Sequence, residues 1–394
     1  MKKTVLYLGR FGSEKTASGI RVRMISEILR DIGYNVVLIS NSSEGTSSEN
    51  THKESDFTFL RVPYREKERC SFENMIDVLL GSYEFKYFKG IYNKYKPSAV
   101  ILYNETSTIC DLVTKYVHTN GGSVFVDVTE WYEIISLRSS IAGALLTRKV
   151  DKRIRASDYK LDGVIAISDF FFNYYKEKKV PVVKIPPIFD EEAFAKHITL
   201  SFNTAMNPLK IVYAGSPGTK DILLPVFDAI KEINDEDSGS IIFDIYGMTS
   251  GQISAMWKGE SSPEECGIIG HGVADHERVL SEVSKAHYSI LLRHNKRYAK
   301  AGYSTKFAES LLLGTPVICN RIGGTDSDII PGENGYLIDS ASKEALIPLL
   351  RKLLYFQIDE YRRLRETTLL FAREKYCADM YTSELIELIE LRRN

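Results

Sequence analysis

The sequence lacks most marks of a metal, disulfide or membrane protein. Its 394 residues include only five cysteines. They form no Cys-x-x-Cys pair and their count is odd, which argues for free thiols in a reducing compartment rather than a disulfide framework or thiolate metal site. No apolar run approaches the roughly 20 residues that a bilayer-spanning helix needs. The first apolar stretch, residues 4–8, is too short for a secretory signal, so a cytoplasmic protein is expected. Charge of either sign is not in excess: the net charge is −1. Such a chain has no global field to recruit nucleic acid. What is present, 44% hydrophobic and 26% charged residues, is ordinary for a globular protein. The length suits two or three domains.

Alternating apolar runs and helical stripes read as an α/β chain. Strands are expected at 4–8, 35–40, 57–62, 99–103, 123–128 and 163–167 in the first half. In the second half they are expected at 209–214, 241–246, 288–292 and 317–320. Between the first two strands, Ile20, Met24, Ile28 and Ile32 form one helical stripe. Residues 72–95 and 110–119 read as helices, and 42–56, rich in polar residues, as a surface loop. Helices are also expected at 223–233, 275–286, 343–356, 358–374 and 376–393.

A dinucleotide fold would need Gly-x-Gly-x-x-Gly after the first strand and an acid after the second. The chain has Gly9-Arg10-Phe11-Gly12, and Asn41 follows strand two. The loop from Gly215 to Asp221 also fails as a Walker loop, because Gly218 and Lys220 are not adjacent and Asp221 replaces Ser or Thr.

The stretch from Ala301 to Leu337 carries the strongest pattern. A small-residue loop (301–304) opens a short helix at 306–313, Gly314 ends it, and Pro316 leads into a buried strand. Gly323-Gly324-Thr325 is expected to open another helix. Two helix N-termini after glycine-containing loops offer free N–H groups and positive dipole ends, which suit a phosphate. Lys306 adds a cation, and Glu309 is placed to accept hydrogen bonds from sugar hydroxyls. An ordinary αβ unit would show the same pattern.

Two Asp-x-Asp triplets, at 235–237 and 326–328, have the form of a divalent-metal motif. Solvent-facing or N-capping roles are expected for both, and no other carboxylate–histidine cluster has metal-ligand spacing. Neither a metal nor a cofactor is expected. Residues 138–160 are basic, with Arg138, Arg148, Lys149, Lys152, Arg153, Arg155 and Lys160 around an apolar run. They read either as a helix lying on an anionic membrane or as a solvated helix face.

The stretch from Ala301, with its Ser-Thr-Lys-x-x-Glu helix start, Leu-Gly-Thr-Pro-Val-Ile, Gly-Gly and Gly-x-x-Gly-x-Leu runs, resembles the donor-binding segment of retaining glycosyltransferases of family four. Further passages match that family in order. They are Asp127-Val128-Thr129-Glu130, Asp162 to Ser168, Ile185-Pro186-Pro187 with Asp190 and Phe194, the Gly215–Lys220 loop, and Gly270-His271-Gly272-Val273. The resemblance implies the GT-B fold: two Rossmann-like domains facing each other across a cleft, at 1–187 and 188–375, with a C-terminal helix at 376–394 returning to the first. It implies transfer of a sugar from a UDP- or GDP-sugar to a carbohydrate, lipid-linked or protein acceptor. Anomeric configuration would be retained without a metal, as in cell-surface polysaccharide synthesis.

By the same resemblance, Glu309 meets the ribose, Lys220 and Lys306 the diphosphate, and Val273 the base. Gly19, Gly215, Gly302, Tyr303, Ser304 and Thr305 line the donor, and Asp127 and Glu130 belong to the acceptor side. The chain departs from the family at Ala301, in place of a first glutamate, at Thr129, in place of a histidine, and at Ser216, in place of an arginine. A non-catalytic nucleotide-sugar-binding homologue and a GT-B epimerase stay open as alternatives.

Overall fold

The computed structural model describes residues 2–12, 16–41, 51–54, 57–62, 80–134, 141–199 and 206–391. The chain divides into two compact units. Unit 1 comprises Met1–Phe189 with Ala378–Asn394, and unit 2 comprises Asp190–Cys377.

Unit 1 is built on strands β1 (Thr4–Gly9), β2 (Asn35–Ser40), β3 (Thr51–Glu54), β4 (Phe57–Arg61), β5 (Ala99–Tyr103), β6 (Ser123–Val128), β7 (Gly163–Ala166) and β8 (Val182–Lys184). Their order across the sheet is β3-β4-β2-β1-β5-β6-β7-β8. All neighbours are parallel except β3 and β4. Parallel strands covered on both faces are apolar throughout rather than alternating, and β5, Ala-Val-Ile-Leu-Tyr, is buried at every position. The segment expected to be a polar loop therefore contributes β3, an antiparallel edge strand whose hydrogen bonds to β4 override its polar composition. Of the helix expected at 72–95, Ser82–Tyr95 is observed, and its beginning lies outside the described residues.

The C-terminal helix Thr382–Glu390 belongs to unit 1 because it completes that unit's core. Its Leu385, Leu388 and Ile389 join the cluster that contains Phe125 and Ile165. Gly163 makes room for it: a β-carbon there would lie 2.5 Å from Leu388 Cδ1.

Unit 2 has an all-parallel sheet of β9 (Leu209–Ala214), β10 (Ile241–Tyr246), β11 (Ile268–Gly272), β12 (Tyr288–Leu291), β13 (Val317–Asn320) and β14 (Gly335–Ile338). The order is β11-β10-β9-β12-β13-β14. Successive strands run outward from β9 to β11 on one side and from β12 to β14 on the other. The switch point is thus between β9 and β12, and it is at the carboxyl ends of such strands that open α/β sheets bind ligands. In unit 1 the corresponding switch lies between β1 and β5. Among the described residues no helix is long and apolar enough to cross a membrane.

Candidate functional site

The loops that leave β9 and β12 meet at the switch point of unit 2. Asp221, at the end of the first loop, bridges to Arg293 just beyond β12, and Ile222 N–H donates to Leu292 O at 2.8 Å. This pairing turns the Asp221 side chain inward. Its carboxylate accepts from Arg293 Nε at 2.9 Å, from Lys306 Nζ at 2.6 Å and from the Tyr213 hydroxyl at 2.7 Å. Burial alone would raise the Asp221 pKa, but Lys306 and Arg293 outweigh it and hold the carboxyl below its usual range.

One carboxylate thus serves two cations, and one positive charge is left over. Burial, joined by Arg293, lowers the Lys306 pKa from its ordinary value against the pull of Asp221. Nearby charge of the opposite sign favours the ionised form of such a group. An entering anion would therefore raise the Lys306 pKa again and strengthen its hold on the charge.

The Lys306 stem crosses directly over Gly215. A β-carbon at Gly215 would lie 2.7 Å from Lys306 Cε and 3.1 Å from Nζ, and the backbone there has φ +123°. Glycine is the residue that permits both the conformation and the close approach.

Lys306 lies in the first turn of the helix Thr305–Leu312, which Gly314 (φ +70°) terminates. The preceding Ser304 occupies the N-cap position, yet its side chain caps nothing. Its Oγ is buried and has no hydrogen-bond partner among the described residues. Glu309 stands one turn beyond Lys306. Its carboxylate is half-buried and makes no side-chain hydrogen bond among the described residues. Burial raises its pKa, opposed by His276 and Lys306. An acceptor, a hydroxyl and a surplus cation therefore gather at one helix start. Buried polar groups are rarely left without partners, and this set matches a ligand that carries both hydroxyls and negative charge.

The other expected donor residues are placed as follows. Gly302 is buried and Thr305 half-buried at the same helix start, and Lys220 is half-buried immediately before Asp221. Tyr303 turns its hydroxyl away into a network with Tyr376, at 2.6 Å, and Asp328, which also binds Lys375. Val273, just past β11, is 92% exposed. His271 stacks on Tyr246 at 4.4 Å between ring centroids and pairs with Asp244 at 2.7 Å.

The second helix N-terminus expected after Gly323-Gly324 is not a free anion site. The segment Thr325–Asp328 is a short 3-10 turn. The Gly323 and Gly324 amides already donate to the carboxylate of Asp326, at 3.2 and 2.5 Å. The protein's own acid fills the place a phosphate would take. The two Asp-x-Asp triplets are likewise engaged: Asp326 in this cap, Asp328 with Tyr303 and Lys375, and Asp235 with Lys231.

In unit 1, Asp127 is fully buried at the end of β6. It receives Arg21 through Nε at 2.9–3.0 Å and Nη2 at 2.7 Å, and the Tyr7 hydroxyl at 2.6 Å. Arg21 also donates to the carbonyls of Ile185 and Pro186. This arginine is thus committed to an internal anion. Gly19 lies in the first turn of the helix Ala17–Asp31, where its amide donates to Thr16 Oγ1 at 3.1 Å.

Thr129 is held by Asn104, whose Nδ2 donates to Thr129 Oγ1 at 2.5 Å and whose Oδ1 accepts from Thr129 N–H at 3.2 Å. Glu130 is exposed and accepts from the Tyr132 hydroxyl at 2.8 Å. The basic run divides. Arg153 is fully buried and donates to Glu105 O, Lys149 bonds Thr108, and Arg155 and Lys160 pair with Asp151 and Asp111. Arg148 and Lys152 are exposed, and Arg138 lies outside the described residues.

Comparison with known proteins bears on the same unit. Residues 202–369 match the family model described as Glycosyl transferases group 1. This segment is a group 1 glycosyl transferase domain. Over a longer span, 298 residues are 21% identical to an uncharacterized glycosyltransferase of Methanocaldococcus jannaschii, covering 69% of this chain and 70% of the relative. The fold is similar to that of sucrose-phosphate synthase from Thermosynechococcus elongatus, with a TM-score of 0.70 at 14% identity over 98% of each chain. It is also similar to Anabaena HepE, solved in complex with UDP and glucose, with a TM-score of 0.63 at 11% identity over 98% of this chain and 99% of that one. The architecture is that of GT-B glycosyltransferases.

Inspection of the sequence missed Arg293, His276 and Asn104. Arg293 and Asn104 each follow an apolar strand run at its carboxyl end, which was the available signal. His276 opens the helix His276–Lys285, and only the packing of that helix brings it within electrostatic reach of Glu309.

Proposed function

We propose that the protein transfers a glycosyl group from a uridine or guanosine diphosphate sugar to an acceptor hydroxyl, with retention of configuration and without a metal. The observation that carries this reading is the surplus positive charge of the Asp221–Lys306–Arg293 cluster beside the unpartnered Ser304 Oγ and Glu309 carboxylate. Unit 2 would hold the donor, with the diphosphate against Lys306 and the helix start and with the ribose hydroxyls on Glu309. Lys220, next to Asp221, is the second cation placed to serve the diphosphate.

The bond from the anomeric carbon to the leaving phosphate breaks while the acceptor oxygen bonds the same face. The acceptor's proton passes to a leaving-phosphate oxygen. Preorganised cations stabilise the charge that develops on the diphosphate. Unit 1 would present the acceptor near Glu130 at the carboxyl end of its sheet, braced by the Arg21–Asp127 pair. Peripheral contact with anionic lipid would rest on Arg148 and Lys152. Flotation with anionic but not neutral vesicles at low salt tests it, since salt screens such attraction.

Calorimetric titration with UDP and GDP tests the donor site. One of them should bind the wild-type chain, and Glu309→Ala should weaken it about tenfold or more, as expected for losing a hydrogen bond to a charged group. Unchanged affinity removes Glu309 from the site. Proton NMR of the first product formed reads its anomeric configuration, and an inverted product overturns retention. Turnover that needs an acceptor separates a transferase from an epimerase or a non-catalytic binder.

A further inference from the structure

A second concavity lies at the switch point of unit 1, where β1 and β5 diverge. Arg10 follows β1, Asn104 follows β5 and Glu130 follows β6. Together with Tyr132 and Leu146 they line a pocket of about 200 Å³. Pockets for drug-sized ligands run from roughly 300 to 1,000 Å³. This one is smaller, closer in size to a single sugar ring than to a nucleotide sugar.

Its rim is fixed. Asn104 is held at φ +47°, a left-handed conformation rare outside glycine. Such residues cluster at functional sites and persist where their surroundings over-determine them. The two hydrogen bonds between Asn104 and Thr129, one donated by each, supply that constraint.

The unmet need in the pocket is on its cation. Among the described residues, Arg10 Nε is buried without a hydrogen-bond partner and Arg10 makes no ion pair. Glu130 already accepts from Tyr132. A guanidinium is a donor only, so what completes it is an acceptor, best a negatively charged one. The apolar part of the lining, Leu146, Val150 and the carbons of Tyr132, suits the C–H face of a pyranose.

We propose that this pocket seats one acidic pyranose of the acceptor, with its carboxylate on Arg10 and a hydroxyl toward Glu130, so that the enzyme selects acceptors ending in a uronic acid. The proposal rests on the glycosyl-transfer reading above and names the acceptor class for it.

Methyl β-D-glucuronide and methyl β-D-glucoside differ only in a carboxylate against a hydroxymethyl group, and each is titrated against the full chain by ligand-observed NMR. The glucuronide should bind at least about tenfold more tightly. Arg10→Gln should bring the two within about threefold, Arg10→Lys should keep part of the preference, and Leu146→Trp, which fills the pocket, should abolish both. Equal binding of the two glycosides to the wild-type chain overturns the proposal whether or not any variant folds. So does a preference that survives Arg10→Gln in a protein with the wild-type melting temperature. UDP and GDP titrations of the same samples keep the two readings apart. A chain that prefers the glucuronide but binds neither nucleotide refutes the donor reading. A chain that binds a nucleotide without the preference refutes this one.

Discussion

Replacing Gly215 by alanine probes the anion site through a single methyl group. The added carbon would stand 2.7 Å from Lys306 Cε and 3.1 Å from Nζ, closer than carbon atoms pack. The lysine end is flexible, so it yields by swinging off Asp221 rather than by unfolding the helix. The cost to stability comes from the backbone, where a non-glycine residue at φ +123° loses about 1–3 kcal/mol. The cost to binding is the lost alignment of one charge-assisted contact, about 1.5–3 kcal/mol, or roughly 10- to 150-fold in Kd. Gly218→Ala in the same loop is the control. Gly218 also has positive φ, +50°, but a β-carbon there meets nothing within 4 Å. It should lose comparable stability and less than about threefold in nucleotide affinity. Calorimetry with the nucleotide that binds the wild-type chain, alongside thermal melting, reads both quantities. A double-mutant cycle settles the route: in a Lys306→Ala background the methyl at Gly215 should cost almost no further affinity, because contacting residues are not additive. Equal loss from Gly215→Ala in both backgrounds would refute the argument that the glycine acts through Lys306.

Four further outcomes are expected. Lys306→Ala should lower turnover about 100- to 1,000-fold while weakening donor binding less, because a preorganised contact acts mostly in the transition state. A chelator should leave the wild-type rate unchanged, and loss of activity restored by a divalent ion would defeat the metal-free proposal. Asp127→Ala strands the buried guanidinium of Arg21 and should cost about 3–5 kcal/mol in urea unfolding. A loss below about 1 kcal/mol would show that Arg21 finds another partner. His287 is buried and accepts the Lys210 amide at 2.9 Å. Burial, helped by Lys210 and Arg365, lowers its pKa from 6.5 to about 4. The unfolded chain therefore binds a proton below pH 6.5 that the folded chain refuses until about pH 4. Stability present above that window is lost as pH falls through it, by about 3 kcal/mol at 1.36 kcal/mol per pKa unit. His287→Gln should flatten the decline between those pH values, and an identical decline would remove His287 as its source.

The sequence by itself determined what local rules govern. Apolar runs of four to six residues became parallel strands, because a strand covered on both faces must be apolar throughout. The helix from Thr305 ends at Gly314, because a left-handed C-terminal residue favours glycine. Lys306 and Glu309 share a face because helical residues three apart are neighbours. Each depends on residues within about one turn or one strand.

Only the tertiary structure decided which charges are spoken for. Arg21 reaches Asp127 across 106 positions and Arg293 reaches Asp221 across 72, and no local pattern encodes either match. The Gly323-Gly324 loop looks like a phosphate cradle in sequence, yet its amides bind Asp326. Residue 301 is a buried alanine, and Arg293, just beyond a neighbouring strand, reaches the loop that follows Ser216 through Asp221. The physical reason is the same in each case. A buried polar group must find a partner, and folding brings together strand ends far apart in the chain before any ligand arrives.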